Sequence, residues 1–161
     1  MDFLHLARKN KLVNIPLSNL DFEYYRMVAY EFIYAFTKEV LNLDRSIRWV
    51  GVANKYGVLL NTEQREGLHA VMTDEENEEY ARLTVTRHKT RVKFEPKTGP
   101  LIYALGKYEK LNRVTLHIDI DYFLLITLDV EEKNFDTIVT EKVIPLVNRE
   151  KGKLKADNEL S

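Results

Sequence analysis

The chain has no cysteine. That excludes disulfides, thiolate metal sites and a cysteine nucleophile, and it fits a reducing compartment. Glycine is scarce, with six residues in 161, and none falls in a Walker A or G-x-G-x-x-G pattern. No phosphate-cradling loop of those kinds is therefore encoded. A G-x-S-x-G elbow is also missing. No apolar run approaches the ~20 residues of a membrane-spanning helix. The opening Met1-Asp2-Phe3-Leu4-His5-Leu6 lacks the basic and apolar regions of a signal peptide, so the expected location is cytoplasmic. Neither sign of charge dominates. Lys and Arg number 24 against 25 Asp and Glu, and a net charge of −1 makes no case for general binding to nucleic acid or membranes. Carboxylates are plentiful, but nothing marks a buried acid pair. No set of residues can be given catalytic roles, so the chain reads as not an enzyme and without cofactor or metal.

What is present is a bias to aromatics, nine Tyr and seven Phe, many of them early in the chain. The length suits one domain with a full core. Residues 1–17 read as an N-terminal arm, 18–147 as a single α+β domain, and 148–161 as a charged, disordered tail.

The first helix starts near Ser18 or Asp21 and runs to about Leu43. Phe22, Tyr25, Ala29, Phe32, Ile33, Phe36 and Val40 recur at spacings of three and four, which makes one apolar stripe. Tyr24, Met27, Tyr30 and Tyr34 lie beside or away from it. They are the expected interface residues, either within the monomer or with another subunit.

Ile47–Ala53 reads as a strand, Asn54-Lys55-Tyr56-Gly57 as a tight turn, and Val58-Leu59-Leu60 as the return strand, with Asn61 to Leu68 leaving it. Thr73-Asp74-Glu75-Glu76 is a capping box that opens a second helix running to Lys93 or Phe94. Acidic residues crowd its start and basic ones its end, as the helix dipole favours. Tyr80, Leu83, Thr84, Arg87 and Arg91 share its expected facing side, and Pro96 with Gly99-Pro100 ends it. Three strands follow: Leu101–Tyr108, Arg113–Ile118 after a turn at Asn112, and Tyr122–Val130. The near-continuous Phe123-Leu124-Leu125-Ile126 suggests a central strand covered on both sides. A last helix begins at Asn134 or Asp136 and is limited by Pro145. The fold class is α+β, a five-stranded antiparallel sheet flanked by helices in the order α-β-β-α-β-β-β-α.

That order is the order of the Roadblock/LC7 domain, in the wider profilin-like group that has PAS-like relatives. The chain resembles a small family of archaeal proteins, mostly from ammonia-oxidising archaea. The residues that carry the resemblance are Ile47-Arg48-Trp49-Val50-Gly51-Val52-Ala53-Asn54-Lys55-Tyr56-Gly57 and Arg65-Glu66-Gly67-Leu68. Arg87-His88-Lys89-Thr90-Arg91-Val92-Lys93-Phe94 and Gly99-Pro100-Leu101-Ile102-Tyr103 extend it. None of these motifs is catalytic, and the resemblance carries no residue of proven role onto this chain. It implies a small scaffold that often dimerises. Roadblock relatives regulate Ras-like GTPases and motor complexes, which implies a small GTPase or another regulatory protein as partner.

Two further clusters carry chemistry. His117, Asp119 and Asp121, at i, i+2 and i+4, would share a face of an extended strand as metal ligands can, but two carboxylates are few for a hard cation. His5, His69 and His88 have no partner at ligand spacing. Arg82, Arg87, His88, Lys89, Arg91 and Lys93 form a basic helix end that suits an anion or acidic partner. The acidic start of the same helix balances it, and Phe94 is the only ring nearby for base stacking. The leading reading is a non-enzymatic regulatory or adaptor module acting through protein–protein contacts as a homodimer. The alternatives are a PAS-like sensor with a small ligand between the sheet and the first helix and, more weakly, nucleic-acid binding through the basic helix end.

Overall fold

The computed structural model describes residues 17–153, with side chains described from Met27 onward. The expected arm before Leu17, the side chains of Ser18, Asp21 and Tyr24, and the tail beyond Lys153 lie outside the described residues; the backbone at Ser18 and Asp21 is already helical, so the first helix begins ahead of both expected caps.

The elements run α1 (Leu17–Asn42), β1 (Ile47–Asn54), β2 (Leu59–Gln64), α2 (Asp74–Arg91), a 3-10 turn (Val92–Phe94) and α3 (Glu95–Thr98). They continue with β3 (Ala104–Lys107), β4 (Leu111–His117), β5 (Tyr122–Asp129), α4 (Phe135–Ile138), a π-helical stretch (Val139–Val143) and α5 (Ile144–Glu150). The five strands form one antiparallel sheet in the order β2-β1-β5-β4-β3. β5 is central, and its run from Phe123 to Leu128 is buried throughout.

Alternation along the strands divides the sheet into two buried faces. Val50 and Val52 of β1, Val114 and Leu116 of β4, and Leu124, Ile126 and Leu128 of β5 face α1 and the C-terminal helices. Ile33, Phe36, Val40 and Leu41 of α1 meet them, with Val139, Val143 and Leu146 from the C-terminal run. Each fully buried Val, Leu or Phe here contributes about 1.5–3 kcal/mol. A register shift between Ile47 and Trp49 lets Ile47 join the same cluster. Trp49, Ala53 and Leu125 point the other way and meet Ala81 of α2. Among the described residues no helix is long and apolar enough to cross a membrane.

Several boundaries differ from the sequence reading. β2 does not end at Leu60 but continues through the polar Asn61–Gln64, because an edge strand needs backbone partners and not apolar side chains to stay paired. Asn112 is no turn residue: it is fully buried in β4, and the turn closes where the Tyr108 N–H donates to the Leu111 carbonyl. β3 is shorter than expected, only Ala104–Lys107. Pro96 does not end the second helical run. It sits in the first turn of α3, where its missing N–H costs nothing, and the run stops at Gly99 with φ near +80°. Pro145 likewise begins α5, and the π-helical stretch ahead of it widens the turn whose carbonyl the ring would otherwise meet. The helix extends through Glu150, past the expected domain edge at 147.

α2 opens as its sequence predicts. The Thr73 hydroxyl accepts from the Glu76 N–H at 3.2 Å, and the Glu76 carboxylate accepts from the Thr73 N–H at 2.8 Å. Its buried stripe is Asn77, Ala81, Thr84 and Val85, whereas Leu83, expected on the facing side, is exposed.

Candidate functional site

The surface of α1 is the first candidate. Ile33, Phe36, Thr37 and Val40 turn into the core, which leaves the helix side one to two residues away in solvent. Tyr30 and Tyr34 are 45% and 50% exposed, and Met27, on the same side at i−3 and i−7, is half-buried. The Lys38 ammonium stands 4.2 Å from the Tyr34 ring centroid, so the stripe has a cationic border.

The basic helix end is less unified than its sequence. Helical periodicity sets Arg82, Lys89 and Lys93 on one side and Arg87 and Arg91 on another, all exposed. The Arg87 guanidinium donates to the Thr84 hydroxyl at 3.0 Å and lies over the Tyr80 ring. His88 leaves the group altogether. It turns toward the sheet, where its Nε2 is 2.8 Å from Nε2 of His117 and its ring meets Phe123 edge-on at 5.3 Å. Sequence spacing gave His88 no partner. The partner is 29 residues away, across the helix–sheet contact. His117 Nδ1–H donates to the Asp119 carbonyl at 2.9 Å, which leaves its Nε2 lone pair to accept from His88. Burial, and secondarily His117, push the His88 pKa below its ordinary value.

The suspected metal cluster is taken up by the turn. Asp119 accepts from the N–H groups of Asp121 and Tyr122 at 2.8 and 3.1 Å, and Asp121 pairs with Lys55 at 2.8 Å. Among the described residues no group of three or more His, Asp or Glu side chains is arranged to hold a metal.

Arg113 is the functional candidate that the sequence reading missed. It lies on β4 opposite Thr127 of β5 and Gly106 of β3, and it is 5% exposed. Its Nη2 donates to the Asn77 side-chain oxygen at 2.8 Å. Its guanidinium carbon sits 3.8 Å from the Tyr80 ring centroid and 5.7 Å from that of Trp49. No carboxylate pairs with it among the described residues, and Nε and Nη1 have no hydrogen-bond partner. Burial lowers its pKa, with the Tyr80 hydroxyl acting against that shift. The side chain borders two spaces. One is a cavity of about 30 Å³ between Trp49, Thr127 and the loop before α2. The other is an open cleft of about 400 Å³ walled by Val71, Met72, Tyr80, Tyr108 and Leu111. The available signal was position: Arg113 falls on the face of β4 opposite Val114, and a sheet covered on both sides must bury that face too.

The fold is that of the Roadblock/LC7 domain. The gliding protein MglB from Thermus thermophilus superposes with a TM-score of 0.59 at 14% identity, over 83% of this chain and 93% of its own. An MglB in a tetrameric arrangement gives a TM-score of 0.61 at 14% identity, over 81% and 90%. A Roadblock/LC7 domain from Streptomyces avermitilis gives 0.56 at 8% identity, over 78% and 96%. At these identities the likeness shows the fold alone. No family model and no curated protein matches the chain.

Proposed function

We propose that this protein is a non-enzymatic regulatory or adaptor module that works through protein–protein contacts as a homodimer and engages a small GTPase or another regulatory protein. The observation that carries the reading is the exposed Tyr30–Tyr34 stripe, set beside Met27 on a helix whose other side is already committed to the core. Aromatic side chains offer large contact area at low entropic cost, and such stripes suit interfaces. The Roadblock-type fold supports the class, and the tetrameric arrangement described for one MglB is consistent with self-association through this architecture. The basic end of α2, without His88, is a second contact suited to an acidic partner surface.

The reading of a ligand between the sheet and α1 draws no support from that interface, where Phe36, Val40, Val50 and Val52 are exposed by 2% or less. Nucleic-acid binding is weakened by the division of the arginines and lysines between two sides of α2.

The test is solution mass by light scattering across a concentration series, for the wild type and for Tyr30→Ser/Tyr34→Ser. A dimer that dissociates at higher concentration in the double variant supports the assignment. An unchanged mass in the variant removes this surface, and a wild-type monomer at all concentrations removes the homodimer.

A further inference from the structure

We propose that the end of the sheet carrying the β1–β2 and β4–β5 turns is a docking surface for an anionic lipid bilayer. The large apolar side chains point to it first. The four most exposed among the described residues are Ile120 at 85%, Tyr56 at 73%, Ile102 at 70% and Phe94 at 61%. They come from four separate connections, and strand register gathers them. Asn54 pairs with Tyr122, so the turn with Tyr56 lies beside the turn with Ile120, and Lys55 bridges the two at 2.8 Å from Asp121. Ala104 pairs with Thr115, which sets Ile102, two residues ahead of β3, at the His117 end of β4. His88 reaches His117 from the last turns of α2, so Phe94, six residues on, leaves the helical run at the same end.

This end is also basic, although the chain as a whole is near neutral. From Arg82 to Lys97 the sequence holds six Lys and Arg and a single carboxylate, Glu95. Arg82, Lys89 and Lys93 follow the flank of α2 that borders the β1–β2 turn, because Gly57 of that turn abuts the Arg82 backbone. All three are exposed, and none forms an ion pair among the described residues. The neighbouring carboxylates are engaged. Asp121 is held by Lys55, Asp119 accepts from the N–H groups of Asp121 and Tyr122, and Glu95 accepts from the Leu101 N–H at 3.1 Å. Glu78 and Glu79 precede Arg82, toward the Asn77–Arg113 contact and away from the turns.

A single exposed apolar residue is ordinary. Here the four most exposed fall at one end, beside unpaired cations. Side chains on separate turns give no continuous groove for a rigid apolar partner. A fluid interface takes each of them singly, accepts aromatic rings at headgroup level and draws cations to anionic headgroups. The surface leaves Arg87 and Arg91, on the other side of α2, to the partner contact proposed above. It uses none of the Tyr30–Tyr34 stripe and stands without that reading.

The test sediments the full-length protein with vesicles of phosphatidylcholine, with and without phosphatidylserine, at about 0.1 M and about 0.5 M salt. The expected result is binding to the anionic vesicles roughly tenfold or more above the neutral ones, largely lost at the higher salt. Lys89→Glu/Lys93→Glu should remove it. Ile120→Ser/Ile102→Ser should weaken it several-fold with every cation in place. These side chains are exposed, so both variants should keep the wild-type Tm; Arg82→Glu or Tyr56→Ser replaces either that does not. Equal binding to neutral vesicles, none to anionic ones, or wild-type binding by either variant overturns the proposal. A wild-type oligomer that Ile120→Ser/Ile102→Ser dissociates, with vesicles unbound, also overturns it and gives this end to a second copy of the chain.

Discussion

The backbone of Gly57 runs against the backbone of Arg82: a Cβ placed on Gly57 would lie 2.6 Å from the Arg82 Cα. Gly57 closes the β1–β2 turn at φ near +80°, its N–H donating to the Asn54 carbonyl at 2.9 Å. The turn glycine is therefore also the seat on which the middle of α2 rests. Gly57→Ala should lower stability by about 1–2 kcal/mol from the left-handed backbone alone, and further because α2 must move. Urea unfolding reads this as a fall in midpoint. An unchanged midpoint would mean that α2 does not rest on the turn.

Arg65 ends α1 from a distance. Its Nη2 donates to the carbonyls of Leu41 at 2.5 Å and Asp44 at 2.9 Å, and its Nε to that of Ile47 at 2.8 Å. Helix-terminal carbonyls lack partners within the helix, and a cation there also meets the favourable end of the dipole. Arg65→Met should cost on the order of 2–3 kcal/mol. Arg65→Lys should recover little of it, because one ammonium does not reproduce the fork. Recovery of wild-type stability by lysine would reduce the role to simple charge.

The His88–His117 contact sets a pH dependence. The His88 pKa is lowered in the folded state, chiefly by burial and then by His117, so the unfolded chain binds more protons. Stability from this group is complete above the ordinary histidine pKa of ~6.5 and declines as pH falls below it. Denaturant titrations at about pH 7.5 and about pH 5 should show a loss for the wild type and a smaller one for His88→Gln. Equal losses in both proteins would disconnect His88 from the effect.

Asp44 acts in a more acidic window. The Lys142 ammonium at 2.7 Å and the Ser46 N–H at 3.0 Å bring its pKa down to about 2. A depressed carboxylate contributes stability that is present above the unfolded value and lost as pH falls toward the folded one. The wild type should therefore lose this contribution between about pH 4 and about pH 2. Asp44→Asn should be less stable at neutral pH and show a shallower acid limb in thermal melts. A variant with the wild-type limb would count against the pair that joins the end of α1 to the C-terminal helices.

Features that rest on adjacent residues were legible in the sequence. The Thr73–Glu76 cap, the Asn54–Gly57 turn and the α1 stripe through Ile33, Phe36 and Val40 all declare themselves within a few positions. Features that rest on assembly were not. His88 and His117 meet only because α2 crosses β4, and Arg113 is buried only because α2 covers the polar face of that strand. The Asn61–Gln64 end of β2 shows no apolar alternation, since its pairing with β1 is carried by the backbone. Tyr30 and Tyr34 were separable from the core by helical phase, whereas the half-burial of Met27 needed the neighbouring elements in place.

The strand order has a consequence for how the chain can be divided. β1 and β2 pair with each other, as do β3, β4 and β5 in succession, and β1–β5 is the one strand pairing between these groups, with seven matched residues. The link between them passes through Gly99, which is exposed and has open space where a side chain would stand. A nick there would break no strand pairing and no core contact. It would leave two fragments, each with its own hairpin, whose reunion requires one zipping of β1 along β5 and the closure of α2 over the seam. In that sense the domain is a split protein whose halves happen to be joined by a peptide bond.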